Sequence, residues 1–451
     1  MLRRRPRPAT PRRPLRPARR IFAAFLGASV VGTALLAWPA LHAPGVHVSF
    51  VDAAFTAVSA VTVTGLTPVP VAAFNPGGQV AILALIQVGG LGIVTLGVLG
   101  AVLLGARVGV EERLRLAAER GALHVGGVVR LARRVAAITF ALEALLAVGL
   151  WAAYLPRFGP ADAAWQALFH AVSAVNNAGF STDATSLAGG LGGALPLALI
   201  AVGFVAGGLG HPVLVEGAQR LRGARRRLGL HARVVLVTSA ALLAFGGLGV
   251  AVLEWTNPAT LGAHPPHARL GLAAFQGATP RTAGFTAVDP ADLRPATQAW
   301  TMLLMFVGGG PGSAAGGIKT TTAFVLVGSA WSLARGRGAL QAFGRRVSDA
   351  LLIRAFVVAF LAASLLGAAV TALLWLEPDV APLALAFEAT SAFGTVGLSV
   401  GATEVVSAPA KAVLMALMLI GRIGPLTLAL ALVEAPRTRR VRRPTEDVII
   451  G

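Results

Sequence analysis

Residues 55–66 read FTAVSAVTVTGL, and three later stretches share their plan: FHAVSAVNNAGF at 169–180, FQGATPRTAGF at 275–285 and FEATSAFGTVGL at 387–398. Each begins with Phe and ends in Gly followed by Leu or Phe. The Gly stands ten residues after the Phe in three copies and nine in the third. These glycines, Gly65, Gly179, Gly284 and Gly397, are spaced by 114, 105 and 113 residues. A period of about 110 residues is too long for a solenoid and suits an internally duplicated membrane unit.

Outward from each motif the surroundings repeat as well. A long apolar run comes first, at 21–40, 135–155, 230–253 and 352–376. The motif then occupies the end of a shorter segment, at 50–61, 161–175, 267–279 and 383–393. A second long run follows, at 79–104, 197–215, 300–327 and 412–433. At about 1.5 Å per helical residue, runs of about 20 residues cross a roughly 30 Å hydrocarbon core, whereas the short segments do not. The expected plan is therefore span, half-span and return, four times over. The units are 21–104, 128–217, 230–332 and 350–434, between a basic arm at 1–20 and a tail at 435–451.

Composition agrees. Hydrophobic residues make up 55% of the 451, charged residues only 13%, and the mean hydropathy is +0.74; soluble domains carry roughly 25% charged residues. The absence of cysteine excludes a disulfide framework, thiolate metal sites and a cysteine nucleophile. A net charge of +20 would suit nucleic acid, but most Lys and Arg fall in five segments, 1–20, 105–134, 218–234, 333–346 and 436–443. These alternate with the apolar blocks, so the positive-inside rule accounts for them and places both termini and the basic loops in the cytoplasm. The run at 21–40 completes the first unit and is read as a retained span, not a cleaved signal. The arm before it is expected to be disordered against anionic lipid.

Irregular backbone at membrane depth is tolerated where protein buries it or water fills the cavity it lines. Four such loops can meet on one axis, where their carbonyl oxygens replace the hydration shell of a dehydrated cation. The negative ends of the four short helices point at the same place, and glycine permits the positive φ that turns the carbonyls inward. No loop core contains a carboxylate, which favours a monovalent cation such as K⁺. The expected fold class is an all-α integral membrane protein with four tandem helix–pore helix–helix repeats, eight spans in all, around a central ion pore. The expected filter residues are Thr62, Val63, Thr64 and Gly65; Asn176, Asn177, Ala178 and Gly179; Thr282, Ala283 and Gly284; and Gly394, Thr395, Val396 and Gly397.

The strings SAVTVTGL, AVSAVNNAGF, RTAGF and SAFGTVGLS resemble the four filter loops of the Trk/Ktr/HKT superfamily of K⁺ transporters. The likeness covers nearly the whole chain. Its length and its ending, PTEDVIIG, are more similar to the KtrB branch of membrane subunits. The resemblance implies channel-like K⁺ uptake, with or without dependence on Na⁺, and K⁺ as the transported ion held by backbone carbonyls. It implies no enzyme activity and no organic cofactor. It also implies a multi-pass protein of the cell inner (plasma) membrane, a homodimer, and a cytosolic nucleotide-binding regulatory ring (KtrA-like) docked on the basic inner face, with membrane lipids as the other partner. An alternating-access monovalent-cation secondary transporter is the alternative, since broken helices occur there too.

Two further features bear on mechanism. The third return segment contains Gly308, Gly309, Gly310, Pro311, Gly312, Ser313, Gly316 and Gly317, a composition that cannot hold a straight helix. A break beneath the filter is expected, and the resemblance makes it an intramembrane gating loop followed by the IKTTT motif with Lys319. The loop departs from the family pattern at Gly310 and at Ala314-Ala315, where a small polar residue and Thr-Gly are implied, leaving fewer hydroxyls to hold it closed. Arg422 lies about ten residues into an apolar run; an intramembrane arginine usually faces a cavity. The resemblance places it near the gating loop, as an electrostatic barrier or a latch for loop carbonyls. Glu143 is a candidate partner for it by composition alone. His170 is expected to pack or hydrogen-bond within the second pore helix, with no metal role.

Several motifs mislead. GSAAGGIKT at 312–320 nearly matches a phosphate-binding loop, but Ile318 interrupts the Gly-Lys pair and an apolar helix replaces the preceding strand. Gly90 and Gly92 lack the third glycine of a dinucleotide fingerprint and are expected to serve close helix packing. An intramembrane enzyme would need a nucleophile and base, yet Ser313 follows Pro311 where an elbow needs glycine, and no histidine recurs across the units.

Overall fold

The computed structural model describes residues 17–92, 95, 128–189, 191–221, 223 and 228–424. The arm before residue 17, most of the basic segment at 105–134, Arg225 to Arg227, and the tail with PTEDVIIG lie outside the described residues. So do the ends of the first and last return segments.

The protein is mostly helical. In chain order the first helices are α1 (Pro17–Leu36), α2 (Phe50–Thr62) and α3 (Pro76–Leu91). Next come α4 (Val128–Val175), α5 (Ala194–Leu209), α6 (His211–Leu221) and α7 (Leu230–Glu254). Then follow α8 (Pro266–Ala278), α9 (Pro295–Phe306), α10 (Thr320–Ala334) and α11 (Asp349–Leu376). The last are α12 (Pro382–Gly394), the single turn α13 (Ala402–Val405) and α14 (Ala408–Ile423). A two-residue hairpin, β1 (Gln341–Ala342) with β2 (Arg345–Arg346), joins α10 to α11.

Local chemistry sets several boundaries. The Ser49 hydroxyl accepts the Asp52 N–H and starts α2, and the Asn75 side chain accepts the Gly78 N–H and starts α3. Proline stands in the first turn of α3, α8, α9, α12 and α14, where its missing N–H leaves no donor unsatisfied. Helix α4 is traced through 48 residues but turns sharply at Gly159 (φ 74°, ψ 174°) between Pro156 and Pro160. That kink divides a long apolar half from the short half bearing His170.

Among the described residues, three helices are long and apolar enough to cross a membrane, namely α4, α7 and α11. The pair α5 and α6 makes a fourth if a span bent by 105° is counted. Their outer faces carry large apolar side chains, such as Leu145 and Val148 on α4, Leu248 and Val252 on α7, and Phe356, Phe360 and Trp375 on α11. The short helices are the most buried: the Phe that opens each motif, Phe55, Phe169, Phe275 or Phe387, is almost wholly enclosed. Apolar exteriors around a buried, polar-loop interior are what a lipid solvent selects. Where α7 meets α8, Gly246 packs on the Gly277 carbonyl so closely that a Cβ on either would collide with backbone.

The sequence reading put a break only in the third return segment. In the structure the second is broken as well, at Gly210 between α5 and α6. Helices α3 and α14 end in the same conformation: Gly92 has φ 81°, ψ 129°, Gly210 φ 89°, ψ 145°, and Gly424 φ 92°, ψ 136°. Such torsions cannot continue a helix and suit only glycine. The strings GGLG, GGLG and GRIG ending at these residues carried that signal, which apolarity alone concealed.

Candidate functional site

Each motif ends a short helix and runs into a loop with two left-handed residues, two positions apart. The pairs are Val63 and Gly65, Asn177 and Gly179, Thr282 and Gly284, and Thr395 and Gly397. The second of each pair is the expected glycine. The first is not glycine in any loop, and Val63 (φ 57°), Thr282 (φ 68°) and Thr395 (φ 50°) are β-branched. A β-branched residue at positive φ is a genuine outlier, held against about 1–2 kcal/mol of steric strain. Three at matching positions identify a place that the surrounding packing over-determines, as functional sites are.

The four glycines form a closed ring. A Cβ built on Gly65 would lie 3.3 Å from the Gly179 Cα, and one on Gly179 would lie 2.8 Å from the Gly284 Cα. One on Gly284 would lie 3.3 Å from the Gly397 Cα, and one on Gly397 would return to the Gly65 Cα at 3.1 Å. In the same order, each would stand under 3.0 Å from the carbonyl oxygen just before the next glycine: Ala178, Ala283, Val396 and Thr64. The other expected filter residues occupy the same loops, and Gly394 closes α12 with its Cα face against the Met305 carbonyl.

A hydroxyl on each short helix braces its loop. Ser59 accepts the Gly65 N–H at 3.0 Å, and Ser391 accepts the Gly397 N–H at 3.1 Å. Ser173 donates to the Phe180 carbonyl at 2.8 Å, and Thr279 donates to the Phe285 carbonyl at 2.6 Å. These four residues were in the aligned strings, five or six positions before each glycine, but were not singled out. Thr62 bonds back to the Val58 carbonyl at 2.7 Å and meets the Thr64 hydroxyl at 2.8 Å.

The asparagine side chains of loop two turn outward. Asn177 donates to the Phe204 carbonyl at 3.0 Å, and Asn176 donates to Glu143 at 2.8 Å and to Gln87 at 3.1 Å. Glu143 also accepts from Gln87 at 3.4 Å. Its partners are thus the second loop and α3. Gly90 packs on this network, since a Cβ there would overlap the Asn176 side chain. His170 is buried, with Nδ1 at 2.7 Å from the Gln166 carbonyl and Nε2 at 3.0 Å from the Ser181 hydroxyl.

Residues 308–317 lie between α9 and α10. Their neck is closed by backbone bonds, Gly308 N–H to Ile318 O at 2.9 Å and Ile318 N–H to Phe306 O at 3.2 Å. The loop sits directly behind two of the strained positions, with Gly308 against the Thr282 methyl and Gly316 against the Thr395 side chain. Within it, Ser313 donates to the Gly310 carbonyl at 2.6 Å. Gly309 and Gly310 approach the Gly208 and Leu209 carbonyls of α5 closely, while Pro311 and Gly312 meet the break at Gly210. Gly317 takes φ 62° beneath Gly394.

The two cations expected near this loop divide their roles. Lys319 folds back to donate to the Ala315 carbonyl, whereas Arg422 reaches the Gly89 carbonyl at the end of α3. A third cation was missed. Arg281, the residue before Thr282, is 8% exposed and donates to Ser239 at 3.1 and 3.2 Å and to the Gly308 carbonyl at 3.5 Å. On the opposite side of the ring a cavity of about 460 Å³ opens, floored by the four glycines, with Asp183, Asp289 and Glu404 in its walls and no Lys or Arg.

The family of cation transport proteins named TrkH matches residues 24–442. The Ktr system potassium uptake protein B of Bacillus subtilis is 35% identical over 424 residues, 94% of each chain. The potassium/sodium uptake protein NtpJ of Enterococcus hirae is 34% identical over 446 residues, 98% of each chain. Among solved structures, the potassium transporter TrkH of Vibrio parahaemolyticus superposes with a TM-score of 0.74 over 95% of this chain and 87% of its own, at 19% identity. These relatives are transport proteins and not enzymes. This chain, an integral membrane protein, belongs to the TrkH family of cation transport proteins.

Proposed function

We propose that the protein is the ion-translocating membrane subunit of a K⁺ uptake system. Permeation is channel-like, through a filter made by the four glycine-ending loops, with residues 308–317 as an intramembrane gate beneath it. The observation that carries this reading is the closed ring of Gly65, Gly179, Gly284 and Gly397, each against the carbonyl oxygen that precedes the next. Backbone carbonyls supply the coordination, and the C-terminal ends of four short helices add a favourable field. The fold comprises four tandem units of span, pore helix and return, eight spans in all. The broken return segments cross as α5 with α6 and α9 with α10. The polar cavity on the ring's far side is the outer mouth, where Asp183, Asp289 and Glu404 raise the local cation concentration.

The protein lies in the plasma membrane with both termini in the cytoplasm, as its basic loops require. It functions as a homodimer with a cytosolic nucleotide-binding ring on the basic inner face; the word "system" in the names of the potassium uptake relatives supports a multi-component assembly. Because one relative is named for potassium and sodium, Na⁺ is the ion to test beside K⁺. Uptake of radiolabelled Rb⁺ into proteoliposomes, with and without Na⁺, tests the proposal. Saturable uptake that excess K⁺ abolishes is expected. Purified protein that leaves vesicles impermeable to Rb⁺, K⁺ and Na⁺ under every gradient would remove it.

A further inference from the structure

The second return helix bends by 105° at Gly210, and the first residue after the bend is His211. Its side chain is 8% exposed and takes no part in the filter. Nδ1 lies 2.8 Å from the carbonyl oxygen of Gly312, at the tip of the loop between α9 and α10. The His211 backbone N–H points at the same oxygen from 3.3 Å. A carbonyl only accepts, so Nδ1 carries the hydrogen, and in the neutral ring Nε2 accepts from the Thr139 hydroxyl of α4 at 3.1 Å. The imidazole is thus fixed at both nitrogens, with its ring plane aimed at the loop.

The rest of the loop explains why this contact matters. Its neck is zipped to itself by the Val307–Ile318 backbone pairing. Its first limb is tied to α5 through Gly310 N–H and Gly208 O at 2.8 Å. The tip, Pro311 and Gly312, rests on the bend, where a Cβ on Gly210 would come within 2.6 Å of the Pro311 carbonyl. Arg281 reaches the Gly308 carbonyl and Lys319 the Ala315 carbonyl, while backbone bonds close the neck and tie the first limb to α5. Of the bonds that hold the tip to the bend, the one from Nδ1 is made by a side chain.

We propose that His211 is a positioning residue for the gate, holding the Gly312 carbonyl so that the tip of the 308–317 loop stays docked against the α5–α6 bend across the ion path. The inference rests on the reading of that loop as the gate. It makes the second unit the receptor for a gate carried by the third. Thr139 is the accessory group, orienting the ring from a third helix.

The test compares basal Rb⁺ flux and the K⁺/Na⁺ ratio in proteoliposomes for the full-length protein and its variants. His211→Phe keeps the bulk and removes the donor, and basal flux should rise about tenfold while the K⁺/Na⁺ ratio stays at the parent value. His211→Asn, whose amide N–H occupies nearly the position of Nδ1–H, should restore low basal flux, and Thr139→Val should give an intermediate increase. His211→Ala substitutes for the Phe variant if that protein does not fold. Deleting residues 309–316 separates the two levels of the reading. If the deletion raises flux and monodisperse His211→Phe does not, the latch is wrong and the gate stands. If the deletion leaves flux unchanged, the gate and its latch both fall. A flux increase accompanied by a collapsed K⁺/Na⁺ ratio would also overturn the latch, because His211 would then be acting on the filter.

Discussion

Gly65→Ser sets the sharpest demand on the ring. Gly65 has φ 97°, so any side chain there carries steric strain of about 1–2 kcal/mol before its surroundings are considered. The surroundings are worse, because the new Cβ would stand under 3.0 Å from the Ala178 carbonyl oxygen, and backbone cannot swing aside as a flexible side chain can. Either loop one or loop two must move by several tenths of an ångström, and that displacement falls on a carbonyl bordering the ring. If about 1.4 kcal/mol of this appears as weaker K⁺ coordination relative to Na⁺, the K⁺/Na⁺ ratio drops about tenfold. Competition of K⁺ and Na⁺ against labelled Rb⁺ uptake measures that ratio directly. Gly65→Ala isolates the Cβ from the hydroxyl and should show most of the loss. Gly397→Ala strikes loop one from its other side, against the Thr64 carbonyl, so the double variant should lose less than the sum of the two. Gly27→Ala is the control: it lies in α1 with open space around it and should leave selectivity unchanged. A monodisperse Gly65→Ser protein with the parent ratio would remove loop one from the filter and refute the reasoning.

Three more outcomes follow from the same geometry, and a fourth from the basic segments. Deleting residues 309–316 should raise basal K⁺ flux, and a folded deletion variant no leakier than the parent would show that the loop is no gate. Ser59→Ala leaves the Gly65 N–H without its 3.0 Å acceptor, a change of about 1 kcal/mol, and should lower the K⁺/Na⁺ ratio about fivefold, whereas Thr371→Ala on the exposed face of α11 should not. Neutralising Asp183, Asp289 and Glu404 together should slow uptake at low ionic strength, with the deficit shrinking as salt rises; a deficit independent of salt would mean that these groups act on structure instead. The basic segments at 113–134 and 225–233 should contact the proposed regulatory ring, so cross-linking there should capture a nucleotide-binding subunit from native membranes, and capture of lipid alone would count against the ring.

The phase of the four loops was legible because each is written locally: a Phe that buries, a short helix, and a glycine where φ must turn positive. The runs at 135–155, 230–253 and 352–376 were legible for the same reason, since period and length are properties of one segment. What escaped was settled by neighbours. Nothing in a string announces that Val63, Thr282 or Thr395 will be forced left-handed, because β-branched residues avoid that region unless packing compels them. Arg422 finds its acceptor on Gly89, 333 residues away, and Glu143 finds Asn176 and Gln87 on two other elements, so composition could not choose their partners. The bend at Gly210 was hidden because hydropathy registers apolarity and not direction, and a GGLG string inside an apolar run scores as uninterrupted.

The ring closes between the two ends of the polypeptide, which has a consequence for how the protein is made. Gly397 abuts the Thr64 carbonyl, Lys411 pairs with Asp52 at 2.8 Å across 359 residues, and Arg422 reaches Gly89. None of these contacts can form until the last unit has left the ribosome and entered the bilayer. Loop one, with its strained Val63, must therefore wait through almost the whole of synthesis without the neighbour that fixes it. A nascent chain arrested before residue 397 holds three of the four ring glycines and no closed perimeter, so whatever the ring performs begins only once the last unit is in place.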